Sequence, residues 1–98
     1  VFTISTTHAF DTWLDALKDR AAQAHIAARL RKASFGLLGD VKPVGEGVSE
    51  MREHFGPGFR LYFVKRGNTL IVMLAGGDKS SQSSDITLAK RLARDLEK

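Results

Sequence analysis

The stretch from Val48 to Ala75 constrains this chain most. Its residues alternate with a period of two, and two glycine-centred breaks interrupt them. Residues 48–55, 59–66 and 69–75 read as three strands. Gly56-Pro57-Gly58 joins the first two, and Gly67-Asn68 joins the second pair. Both breaks are short enough for antiparallel hairpins, so the three strands are neighbours in one sheet. Leu70-Ile71-Val72-Met73-Leu74-Ala75 is apolar on both faces, which predicts a central or well-covered strand.

The flanking segments supply what covers that sheet. Phe2-Thr3-Ile4-Ser5 is short and β-prone, and Thr6 or Thr7 can cap the helix that follows. Phe10, Trp13, Leu14 and Leu17 fall at i, i+3, i+4 and i+7, one apolar helical face. Asp19 reads as a second cap or a break. Ala22, Ile26, Leu30 and Ala33 then mark a longer helix that Gly36 stops. Arg29, Arg31 and Lys32 crowd its last turns, where cations suit the helix dipole. Residues 36–47 carry four glycines and a proline and read as a loop, as do residues 76–81. Ile86, Ala89, Leu92, Ala93 and Leu96 mark a C-terminal helix starting near Ser84 or Asp85. The predicted order is β-α-α-β-β-β-α. That is an α+β fold with two N-terminal helices on one face of a small antiparallel sheet. Residues 1–98 read as one domain, without repeat or linker.

Composition narrows the function classes. There is no cysteine, which excludes disulfides and thiolate chemistry. No apolar run approaches the ~18 residues of a membrane span, and no leader pattern is visible, so a cytoplasmic location is expected. Fifteen Lys and Arg against eleven Asp and Glu give a net charge of +4. That balance suits a polyanionic partner, and equally a solvated basic surface.

Alternation gathers the polar residues of the hairpins. Arg52, His54, Arg60 and Tyr62 fall on one sheet face, and Met51, Phe55, Phe59, Leu61 and Phe63 on the other. The register expected from the short turns sets Arg52 opposite Tyr62 and His54 opposite Arg60. The apolar set should pack on the helices. The polar set should lie on an open face, with Lys79 emerging at the Arg60 end. Three cations and a histidine converging on a cleft fit RNA cleavage. There a base takes the ribose 2′-proton and cations stabilise charge on the phosphorus. Tyr62 could stack on a base or donate a hydrogen bond. Lys42 and Lys65 could touch the RNA backbone. Each has a plainer reading: Arg52 could pair with Glu50 or Glu53, His54 could be a solvated strand end, and Lys79 a turn residue. His8, His25 and His54 lack ligand spacing, so neither metal nor cofactor is expected.

Longer blocks carry a family resemblance. They are Phe10-Asp11-x-Trp13-Leu14-x-x-Leu17-Lys18-Asp19-Arg20, Gly39 through Glu50, Phe55-Gly56-Pro57-Gly58-Phe59-Arg60, and Gly76-Gly77-Asp78-Lys79-Ser80-Ser81-Gln82-x-x-Asp85-Ile86. Together they resemble the phage-derived, HigB-type addiction-module killer proteins of the RelE/ParE toxin superfamily. The resemblance implies a toxin that cleaves messenger RNA, often on the ribosome, through basic residues on the sheet. Arg52, Arg60 and Lys79 match that cluster, with His54 and Tyr62 as additions. It also implies a cognate helix-turn-helix antitoxin that neutralises the toxin in a hetero-oligomer. The chain departs from the RelE branch in having Arg52 and His54 where that branch has lysines, and no C-terminal tyrosine. ParE members share the fold but inhibit DNA gyrase without nuclease residues, which is the alternative function.

Overall fold

The computed structural model describes residues 1–97. The elements are β1 (Thr3–Thr6), α1 (His8–Ala16), α2 (Arg20–Ser34), β2 (Val41–Gly45), β3 (Val48–Glu53), β4 (Phe59–Arg66), β5 (Leu70–Gly77) and α3 (Gln82–Asp95). A single 3₁₀ turn, Lys79–Ser81, leads into α3. The five strands form one sheet in the order β1-β5-β4-β3-β2. Strands β2 to β5 pair antiparallel, and β1 closes the far edge parallel to β5. The fold is α+β, as the periodicity predicts.

Local chemistry explains the helix limits. The Thr7 hydroxyl accepts from the Phe10 amide at 3.1 Å and donates to the Leu74 carbonyl at 2.6 Å, so one side chain starts α1 and ties it to β5. Asp19 accepts from the amides of Ala21 and Ala22 and starts α2. Gly36, at φ +88°, ends α2, with the Gly36 amide on Ala33 and the Leu37 amide on Lys32. Gln23 donates to the carbonyls of Leu14 and Leu17, satisfying the end of α1 from α2.

The sheet is packed on both faces. On one, Phe10, Ile26, Met51, Leu61, Phe63 and Met73 form a core under α1 and α2. On the other, Tyr62, Val64, Val72 and Leu74 pack with Ala89 and Ala93 of α3. Gly76 is set by the first packing: a Cβ there would lie 2.2 Å from the Trp13 ring. The face expected to be open is therefore roofed by α3 over much of its length.

Three expectations are corrected. Residues 41–45, read as loop, form edge strand β2 along β3, where Pro43 needs no amide partner on its outer side. The three-residue turn that follows, Gly45-Glu46-Gly47, has positive φ throughout. The β3–β4 connection is longer than Gly56-Pro57-Gly58, so Arg52 faces Arg60 and Glu50 faces Tyr62. That two-residue offset preserves the faces. In the second hairpin the short turn at Gly67-Asn68 predicts Arg66 opposite Thr69, Tyr62 opposite Met73 and Arg60 opposite Ala75; instead Arg66 faces Leu70, and a bulge then places Tyr62 opposite Ala75 and Arg60 opposite Gly77.

Candidate functional site

The site is built around a buried acid. Glu50, in the middle of β3, is only 1% exposed. Its Oε2 faces Arg60 Nη1 at 3.2 Å and Arg52 Nε at 3.5 Å. Its Oε1 accepts from Gln82 Nε2 at 2.6 Å and from the Tyr62 hydroxyl at 3.3 Å. Alternation on β3 and β4 puts Glu50, Arg52, Arg60 and Tyr62 on one face. The first turn of α3 brings Gln82 down onto them. A carboxylate taken out of water is destabilising unless paired and hydrogen-bonded, and here three hydrogen bonds and two guanidinium groups surround it.

The sequence-predicted residues separate. Arg52 and Arg60 do come together, directly opposed across β3 and β4. Their side chains are 33% and 14% exposed, so Arg52 is the more accessible. Both Nε–H groups are enclosed without a hydrogen-bond acceptor; the Arg52 Nε contact with Glu50 is an ion pair only. The plainer reading of Arg52, pairing with Glu50, is what the structure contains.

Tyr62 does not reach a ligand. It is fully buried in the core under α3, which rules out stacking on a nucleobase. Burial, then the neighbouring charges of Glu50 and Asp85, push its phenol well above the ordinary value. It is a hydrogen-bond donor to Glu50, and it is locked protonated.

His54 lies just past β3, exposed, with Nε2 2.8 Å from Asp40 Oδ2. That hydrogen bond, aided by the nearby Arg52 and Arg29, holds the Asp40 carboxyl below the usual carboxylate range. Arg29, read from sequence as a dipole partner, clamps this region instead. It donates to the carbonyls of Leu38, Asp40 and Arg52 and lies 3.6 Å from Glu53.

Lys79 is exposed in the 3₁₀ turn two residues beyond Gly77, the register partner of Arg60. Together with Pro57, Asp78 and Ser80 it lines a shallow hollow at this end of the sheet. Lys42 is exposed on β2 directly opposite Glu50, so it shares the arginine face. Lys65 is placed elsewhere: it points to the α1–α2 side, with its ammonium 5.3 Å from the Phe2 ring, and cannot join a backbone contact at the arginines. Two residues at the centre of this cluster were not among the candidate site residues read from the sequence, Glu50 and Gln82. Alternation sets Glu50 on the face of Arg52, Arg60 and Tyr62, but that face reads as open, so the burial of the acid has no signal in the sequence. Gln82 has none, because its place depends on how α3 docks.

Arg52 and Lys79 present accessible cations at this sheet end, among the carboxylates of Glu50 and Asp78, and guanidinium and ammonium groups so placed can take hydrogen-bonded contact with an anion such as a phosphate. Among the described residues no group of three or more His, Cys, Asp or Glu converges as a metal site would require. No helix of the described residues is long and apolar enough to cross a membrane.

This architecture defines a class, the small α+β proteins with a meander sheet between an N-terminal helix pair and a C-terminal helix. A conserved hypothetical protein of Helicobacter pylori, solved in solution, has a similar fold, with a TM-score of 0.53 over 82% of this chain and 97% of that one; at 16% identity the likeness concerns the fold alone. No family model matches the chain. A protein of Haemophilus influenzae, described only as uncharacterized, is 45% identical over 93 residues, covering 95% of this chain and 94% of that protein. The chain belongs to the family of that Haemophilus protein.

Proposed function

We propose that this protein is the toxin of a type II toxin–antitoxin pair, of the RelE/ParE superfamily, acting in the cytoplasm as a metal-independent messenger-RNA endonuclease. The observation that carries the reading is the direct opposition of Arg52 and Arg60 at the sheet end where Lys79 emerges. These cations would hold the scissile phosphate and offset its growing charge. His54 is the candidate base for the ribose 2′-hydroxyl. Asp40 takes its Nε2, which orients the ring and leaves Nδ1 free toward solvent. The resemblance further supports a helix-turn-helix antitoxin as partner and the ribosome as the place of cleavage.

A second reading, a binding toxin that inhibits DNA gyrase, draws on a specific observation: Glu50 already neutralises one of the arginines, and Tyr62 is unavailable. Primer extension on a transcript after induction separates the two. The nuclease reading expects discrete cuts, a loss of about tenfold or more in Arg52→Ala, and a comparable loss in His54→Ala. Uncut message in arrested cells, with broken chromosomal DNA, would establish the gyrase reading instead. Arg60→Ala is a poor probe. It strips a buried carboxylate of its closest cation and is expected to destabilise the fold by about 3 kcal/mol.

A further inference from the structure

Behind the two arginines lies an acid that the proposed chemistry does not use. The geometry points to Glu50 as a positioning residue: one buried carboxylate that fixes Arg52 and Arg60 as a single fork for one phosphodiester. This rests on reading the arginine pair as a phosphate seat.

Four contacts carry it. Oε2 meets both arginines, at 3.2 and 3.5 Å, so both guanidinium groups are referred to one atom. Oε1 is held by Tyr62 of β4 and Gln82 of α3, so the carboxylate cannot swing to favour either arginine. A purely structural ion pair needs one cation. A second cation on the same oxygen repels the first, and that repulsion is relieved when an anion lies against both. Among the described residues the terminal nitrogens of Arg52 make no hydrogen bond, and its side chain is a third exposed, so that prong is free to take the ligand. Gln82 and Tyr62 make the seat depend on how α3 and the core are packed, which explains why a polar cluster is tolerated under that helix.

The test compares the full-length wild type with Glu50→Gln. Arginine side-chain NMR reads the Nε–H signals of Arg52 and Arg60 during titration with a short RNA whose 2′-hydroxyls are methylated. Unmodified RNA then reports cutting. In the wild type both Nε–H groups should exchange slowly with water and shift together as RNA binds. In Glu50→Gln their exchange should accelerate by at least about tenfold. Affinity for the methylated RNA should stay level or rise, since a negative charge has gone, while cutting at saturating RNA falls on the order of tenfold. A merely structural acid would not give that split. Unchanged exchange and cutting in a folded Glu50→Gln overturns the proposal, and so does a wild type whose two arginine signals ignore the RNA. If Glu50→Gln does not fold, Gln82→Ala removes only the helix anchor; the same split at about threefold supports the role, and no change in exchange overturns it. A wild type that shifts both signals yet cuts nothing, while Glu50→Gln loses the slow exchange, keeps Glu50 as positioning residue and removes the nuclease reading.

Discussion

At the scale of single residues, the buried phenol of Tyr62 makes alkaline stability a direct probe of the site. Its raised ionisation means that losing the proton is harder in the folded chain than in the unfolded one. The stabilisation is therefore complete below the unfolded phenol's value, about 10, and is lost as pH rises beyond it. Urea titrations are expected to show stability declining above about pH 10 in the wild type, with a shallower decline in Tyr62→Phe. Tyr62 is the only tyrosine, so phenolate absorbance should appear together with unfolding and not before it. Phenolate forming in the intact fold would contradict the burial. The same residue shows how far the site was legible in the sequence. Alternation correctly put Arg52, Arg60 and Tyr62 on one face. It could not say which of them α3 would cover, because roofing is decided by packing between elements distant in the chain.

Among the elements, α1 and α2 were legible because each carries its own boundary chemistry, whereas α3 has no side-chain cap of its own and begins at Gln82, ahead of the expected Ser84 or Asp85. Asp19 is the clearest case, accepting from two amides at the start of α2. Asp19→Ala is expected to cost about 1 kcal/mol, read as a lower thermal midpoint with the folded spectrum unchanged. Strand β2 was hidden for a physical reason. Its glycines and Pro43 are loop signals, yet an edge strand needs amides on one side only, and a bulge between Pro43 and Gly45 absorbs the irregularity. The registers failed similarly. The bulge opposite Tyr62–Phe63 slides β5 along β4, and nothing in the sequence between Leu70 and Ala75 marks it.

For the whole molecule, the decisive fact is that one sheet separates two cores. β4 and β5 are central and buried on both sides, whereas β1 and β2 are the edges. Hydrogen exchange should therefore be slowest at amides such as those of Leu61, Phe63 and Val72, and faster by orders of magnitude along β2. A β2 as protected as β4 would mean that its outer edge is covered by something else.

The edge position of β1 has a temporal consequence. Thr3 to Thr6 hydrogen-bond beside Leu70 to Met73, which are made much later in synthesis. At roughly 5–20 residues per second, β1 waits seconds on the ribosome before the strand it pairs with emerges. For that interval the nascent polypeptide has α1 without the β5 strand it rests on, and β4 with one of its two partners missing. Maturation is thus postponed until β5 has been translated, and a message broken before the codons for β5 yields no finished sheet.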